Sequence, residues 1–156
     1  MNKRAVITGT GHYVPPQVVT NFDLAKVMNT SDEWIRQRSG IVERRHVEVG
    51  VVTSDLAYEA ALRAIENAGI DKSEIDFIVA ATLSPDHYFP GMGVLVQAKL
   101  GLAPIGALDV RNQCSGFIYA LSVAVADCLR LFPRSGGLDY GRRSDCIYSA
   151  GLRMGT

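Results

Sequence analysis

The sequence predicts an α/β layered fold. Three observations carry that expectation. An apolar stretch, broken only by Thr82, runs from Phe77 to Leu83, as in a strand covered on both faces. Leu56, Ala57, Ala60, Ala61, Ala64, Ile65 and Ala68 recur at helical spacing, and Gly69 follows them. Along the chain the elements read β, helices, β, α, β, α, the order of a layered α/β protein.

Taken in order, Ala5 to Thr8 reads as a short buried strand that Gly9-Thr10-Gly11 ends. Val14-Pro15-Pro16 forces an extended turn, because a proline restricts the residue before it. Asn21 is placed to cap a short helix over Phe22 to Met28. A second helix starts at Thr30, which stands at capping-box spacing from Glu33; Asp32 and Glu33 suit its positive end. That helix carries Trp34, Ile35, Arg36 and Arg38 and stops at Gly40. Thr53 or Ser54 caps the helix that ends before Gly69. The strand of Asp76 to Leu83 leads into a polar, proline-bounded loop from Ser84 to Gly91. A helix over Val94 to Leu100, a strand at Gly106 to Val110 and a long apolar helix from Phe117 to about Leu131 complete the pattern. No internal repeat or low-complexity segment is visible.

A chain of 156 residues and 16.9 kDa has the length of about one domain and buries a core without needing a disulfide or metal staple. Hydrophobic residues make up 47% and charged residues 21%, which excludes a disordered tail, a collagen and a coiled coil. The 16 Lys and Arg balance 16 Asp and Glu, so the sequence gives no sign of a nucleic-acid partner. Apolar runs fall far short of the roughly 20 residues of a membrane span, and the N-terminus lacks a signal-peptide core. Cys114, Cys128 and Cys146 form no CxxC pair and are odd in number. A cytoplasmic chain with reduced thiols is therefore the expectation. His12 and His46 have no second ligand at metal spacing, so no metal is expected.

Cys114 stands in Asp109-Val110-Arg111-Asn112-Gln113-Cys114-Ser115-Gly116-Phe117. A strand feeds a tight turn and places the cysteine at a helix start, where free N–H groups and the dipole favour a thiolate. Such a nucleophile attacks thioesters and forms an acyl-enzyme, with small Ser115 and Gly116 leaving room for the acyl group. On these residues alone, a buried structural cysteine is an equal alternative.

The wider sequence carries an ordered set of motifs. It runs through Ile7-Thr8-Gly9-Thr10-Gly11, Val19-Thr20-Asn21, Ser31-Asp32-Glu33-Trp34-Ile35 and Arg38-Ser39-Gly40-Ile41. It continues with Glu43-Arg44-Arg45, Ala80-Ala81-Thr82, Phe89-Pro90 and Cys114-Ser115-Gly116-Phe117. Over Ala5 to Asp127 this resembles the N-terminal half of the 3-oxoacyl-acyl-carrier-protein synthase III family. The resemblance implies one half of the thiolase-like αβαβα fold, which in the intact family pairs with a second half and forms a homodimer. It implies that Cys114 takes an acyl group from acyl-CoA and passes it to malonyl-acyl carrier protein with loss of carbon dioxide. Acyl-CoA is a substrate here, and no cofactor is implied. The family's catalytic His and Asn come from the second half, and no residue of this sequence takes their roles.

The same resemblance assigns Trp34 and Arg38, four apart on one helix face, to the adenine end of CoA. A core-packed Trp with a solvated Arg is the alternative. Arg36 lies off that face. Arg44 and Arg45 serve CoA phosphates or the carrier protein, or are surface ion pairs. Phe89, with Tyr88 as the second choice, matches the aromatic that reaches the neighbouring subunit's acyl pocket; a loop aromatic tucked on its own subunit is the alternative. His87 reads as a solvated loop residue. Gly9-Thr10-Gly11 is not a dinucleotide fingerprint, because Val14 stands where the third glycine belongs.

The resemblance breaks after Asp127. The family finishes a helix and enters a strand of the type Val-Val-Gly-Ala; here Pro133 interrupts, and Arg130, Arg134, Arg142 and Arg143 crowd a segment with no strand pattern. Ile147 to Leu152 is family-like again, as the segment after that strand. The expected organisation is a half-domain over 1–127, an anomalous segment over 128–146 and a family-like tail over 147–156. The reading favoured for the anomaly is a frame shift: one choice of codons for Gly141-Arg142-Arg143-Ser144, GGT-CGT-CGG-AGC, read one base along, encodes Val-Val-Gly-Ala. A natural variant segment is the alternative. The function expected is an acyltransferase of fatty-acid synthesis initiation that does not complete condensation by itself. The alternatives are a non-catalytic pairing module and a related condensing enzyme using another acyl-CoA.

Overall fold

The structure, a computed structural model, describes residues 5–128 and 145–150. Among these, Val14–Val52 forms a small unit and the remainder a larger one. In the larger unit, three parallel strands lie in the order β4-β3-β5: β3 is Ile75–Ala81, β4 Gly106–Val110 and β5 Asp145–Ala150. Helices α3 (Thr53–Ala68) and α4 (Met92–Leu100) cover one face, and α5 (Gly116–Cys128) the other. The α/β layered expectation holds, and its cause is visible in β3. Ile78 and Ala80 face Ala57, Ala61, Ile65, Met92 and Val96, whereas Val79 faces Ala120 and Ala124. Alternate side chains of one strand thus enter two cores, and burying Ile78, Val79 or Val96 contributes about 1.5–3 kcal/mol each.

The stripe on α3 meets β3 as its spacing predicts, and Gly69 ends the helix at φ +65. The helix start is held from outside. Ser54 donates its N–H to Asp86 Oδ1 at 2.9 Å and its hydroxyl to Asp86 Oδ2, while the Thr53 hydroxyl donates to the Ser84 carbonyl. The predicted strand at Ala5–Thr8 does not form. It has no ladder partner among the described residues, and Val6 and Ile7 are exposed. The chain then lies on α3, where a Cβ on Gly9 or Gly11 would strike the helix backbone. The sequence shows no strand after Asp127, yet β5 pairs parallel with β3 from Ile75 to Ala81. The segment read as following the missing strand is itself the strand. Pro133, the arginines before Asp145 and the residues after Ala150 lie outside the described residues.

The small unit is a two-stranded antiparallel ribbon, β1 (Gln17–Thr20) with β2 (Glu43–His46), and two short helices, α1 (Asn21–Ala25) and α2 (Asp32–Ser39). Both caps fall one residue from their expected places. Thr20, not Asn21, caps α1 in a capping box with Asp23, and Ser31, not Thr30, caps α2 by accepting from the Trp34 N–H. Asn21 is instead fully buried. Its amide donates to Asp32 Oδ1 and the Ile41 carbonyl, and its oxygen accepts from Arg44. The side chain is worth more as a hub for three segments than as a cap. Gly40 ends α2 at φ +71 with its N–H on the Arg36 carbonyl.

Two carboxylates of this unit are held below the usual range. Lys26 and then Thr20 act on Asp23; Arg36 and then Asn21 act on Asp32. A carboxyl lowered in the folded state adds stability above its unfolded value, and that contribution is lost as pH falls through the lowered one. We expect the Thr20 and Asn21 amide resonances to hold their folded positions through about pH 4, the ordinary carboxyl range, and to lose them only at lower pH, where the held-down carboxylates take up protons. Asp23→Asn should show the same loss already at neutral pH. Resonances that already move with a midpoint near about pH 4, as for an ordinary carboxyl, would contradict this.

Candidate active site

In a parallel sheet the loops that leave the carboxyl ends of neighbouring strands lie side by side, the usual place for a site. Ala81 and Val110 end their strands in register. From β3 emerges the loop Ser84–Gly91; from β4 emerges the turn Arg111–Ser115. Cys114 lies in that turn, two residues before α5 begins. The turn is closed by Gly116 N–H on the Gln113 carbonyl, at 3.0 Å, and Tyr119 N–H reaches the Ser115 carbonyl. Asn112 Oδ1 accepts from the Gln113 N–H at 2.7 Å and lies 3.5 Å from the Ser115 hydroxyl. Cys114 is exposed and outside any disulfide among the described residues. Cys128, half-buried, is also outside any disulfide among the described residues; nothing is described of the Cys146 side chain.

The loop beside it is anchored at both ends. Asp86 holds the α3 start, as described above. At the other end α4 has no cap from its own chain segment; Asp109 on β4 supplies one, accepting from Met92 N–H at 2.6 Å and Gly93 N–H at 2.7 Å. A Cβ on Gly91 would collide with that carboxylate, so the glycine is required by the close approach. Between the anchors Tyr88 and Phe89 stand 85% and 91% exposed, so neither is tucked onto the loop's own surroundings. Arg111 lies against Tyr88, its Cζ 4.8 Å from the ring centroid. His87 is exposed, as expected of a solvated loop residue.

Trp34 and Arg38 belong to the small unit. They share a face of α2, with the Arg38 Cζ 5.6 Å from the Trp34 ring centroid. Trp34 is 56% exposed and so is not core-packed. Among the other arginines, Arg36 is paired with Asp32, and Arg45 with Glu43. Arg44 is turned inward to Asn21 Oδ1 and the Val19 carbonyl. Its charge serves the unit's own hydrogen bonds. No three His, Cys, Asp or Glu side chains converge among the described residues.

The sequence reading missed Asp86, Asp109 and Arg111 as structural parts of this edge. A signal for two of them exists: Asp109 and Arg111 are two apart at the end of a strand, hence on one face.

No family model matches the chain. It is 55% identical over 126 residues to the beta-ketoacyl-[acyl-carrier-protein] synthase III of Xylella fastidiosa, covering 80% of this chain and 39% of that protein. Among solved structures, the 3-oxoacyl-[acyl-carrier-protein] synthase III of Aquifex aeolicus superposes with a TM-score of 0.72 at 47% identity, over 76% of this chain and 38% of that one. The priming β-ketosynthase of a polyketide biosynthetic pathway superposes with a TM-score of 0.76 at 32% identity, over 82% and 39%. The layered unit, with a cysteine turn at the carboxyl edge of its parallel sheet, is one half of a thiolase-like condensing-enzyme fold. Within that class the chain corresponds to the N-terminal half of the beta-ketoacyl-[acyl-carrier-protein] synthase III family. It spans about two fifths of the length of the curated relatives it matches.

Proposed function

We propose that this chain carries the acyl-accepting half of a synthase III reaction, with Cys114 as the nucleophile. The observation that supports it best is the exposed Cys114 on the turn that opens α5, in a sequence 55% identical to a named synthase III. The thiolate attacks the carbonyl carbon of an acyl-CoA thioester, the bond from that carbon to the CoA sulfur breaks, and CoA leaves and takes up the proton. One thioester replaces another, so no oxidant or metal is needed. Acetyl-CoA is the first donor to test, and malonyl-acyl carrier protein is the acceptor in the full reaction.

Trp34 and Arg38 hold the nucleotide end of CoA in this reading. The base stacks on Trp34 and the guanidinium of Arg38 meets phosphate. Trp34→Ala should weaken acyl-CoA binding by about 1–3 kcal/mol, the scale of base–aromatic stacking, as measured by calorimetric titration. Unchanged affinity would remove Trp34 from the site. Phe89 projects to the acyl pocket of a second subunit in a homodimer, with Tyr88 beside it. The setting is the cytoplasm, and no helix among the described residues is long and apolar enough to cross a membrane.

Condensation also needs donors for the enolate oxygen, and losing one such donor typically costs about 10²–10³ in rate. The family's His and Asn donors lie outside residues 1–156. These residues alone should therefore accept an acyl group yet show no turnover with malonyl-acyl carrier protein. Family-like turnover in a coupled assay would contradict the assignment of roles. A chain that pairs with a partner but never acquires an acyl group would instead be the non-catalytic module.

A further inference from the structure

The tip of the loop Ser84–Gly91 is too exposed to be held by burial. Its base is fixed by Asp86 and its exit by Asp109. Among the described residues, the contact that reaches the tip comes from Arg111. This guanidinium stacks on the Tyr88 ring at 4.8 Å and donates from Nη2 to the Tyr88 carbonyl at 3.3 Å, so it engages both the ring and the backbone of one residue. Arg111 is the first residue after β4 and lies three before Cys114. Asp109, at the same strand end, holds the first turn of α4, where the loop exits. Arg111 thus joins the ring and backbone of Tyr88 to the segment that launches the nucleophile turn.

We propose that Arg111 and Tyr88 form a latch between the aromatic loop and the Cys114 turn, with Arg111 a positioning residue for the thiol. The importance of that thiol rests on the acyl-acceptor reading above. When the loop tip is displaced, as by a surface that takes up Phe89, the latch opens and the turn loosens. Because Cys114 is already exposed, loosening adds no access; it withdraws the thiol from its set place at the helix start, and reaction slows.

The test is a double-mutant cycle read on Cys114 itself, with neutral iodoacetamide as the probe and peptide mass spectrometry separating Cys114 from Cys128 and Cys146. Tyr88→Leu leaves every charge in place, so its effect reports the latch rather than the field of Arg111. A cation–π contact at an exposed site corresponds to roughly 2–5-fold. We expect Arg111→Met and Tyr88→Leu each to slow alkylation by about that factor, the double variant to be no slower than either, and Arg111→Lys to recover part of the rate. A wild-type rate in Tyr88→Leu, or a double variant slowed by the product of the two single effects, would overturn the latch. Acetyl-CoA added to the same samples separates the two ideas: a non-additive cycle without acylation leaves the latch standing and defeats the acyl-acceptor reading.

Discussion

Cys114→Ala is expected to abolish acyl transfer from acetyl-CoA to the chain, while leaving the fold intact. The loss should be complete because the side chain is the bond-forming atom's only carrier, and no neighbour on the turn offers a comparable nucleophile. Ser115 follows it, but a hydroxyl without an adjacent base is a weak nucleophile. Stability should hardly change, since Cys114 is exposed and its removal opens no cavity. Intact-mass measurement after incubation with acetyl-CoA, with a circular-dichroism melt of the same sample, checks both halves of the expectation. An adduct that persists in Cys114→Ala would place the chemistry elsewhere, on Cys128 or Cys146.

The second large effect is on stability. Ile78→Ala should destabilise the larger unit by about 2–5 kcal/mol, the range for deleting a large aliphatic side chain from a close-packed core. Ile78 is fully buried in the middle of the central strand, flanked by β4 and β5 and covered by α3 and α4. A domain is typically stable by only about 5–15 kcal/mol, so this one change removes a large fraction. Ile78→Val, which deletes a single methylene, should cost about 0.5–1.5 kcal/mol. Truncating the fully exposed Val49 should be near neutral. Urea denaturation of the three variants provides the comparison. Equal midpoints for Ile78→Ala and the parent chain would mean that this strand is not the centre of the core.

Much of the larger unit is legible in the sequence because its elements are defined by local pattern. The run around Ile78, the stripe on α3 and the Gly69 stop each carry their own signal within a few residues. Strand β4 falls at Gly106–Val110, as its apolar, proline-preceded segment predicts. The small ribbon was illegible for the opposite reason. Glu43-Arg44-Arg45-His46 has no apolar alternation, and its strand state is fixed by pairing with Gln17–Thr20, over twenty residues away. Ala5–Thr8 shows the converse: a good strand sequence has no ladder partner among the described residues.

The site divides the same way. Cys114 could be picked out because strand, turn and helix start are consecutive in the chain. Asn112 and Ser115 support that turn locally. Asp109 acts on the first turn of α4, 16 residues upstream, Arg111 on the loop tip 23 residues upstream, and Asp86 on a helix start 32 residues upstream. Such contacts exist only once β3 and β4 lie in register. The capping-box spacing of Thr30 and Glu33 misled by one residue, since the neighbouring Ser31 is an equally good cap, and Asn21 is drawn from the cap position of α1 into hydrogen bonds that are tertiary.

The central claim is that Cys114 accepts an acyl group from a CoA thioester, and the most direct measurement is site-resolved mass spectrometry of the wild-type chain after incubation with acetyl-CoA. The account predicts one acetyl group per chain, located on the peptide containing Cys114 and released by hydroxylamine as a thioester must be. An unmodified chain under conditions where iodoacetamide still reaches Cys114, or an acetyl group confined to Cys128 or Cys146, would contradict it.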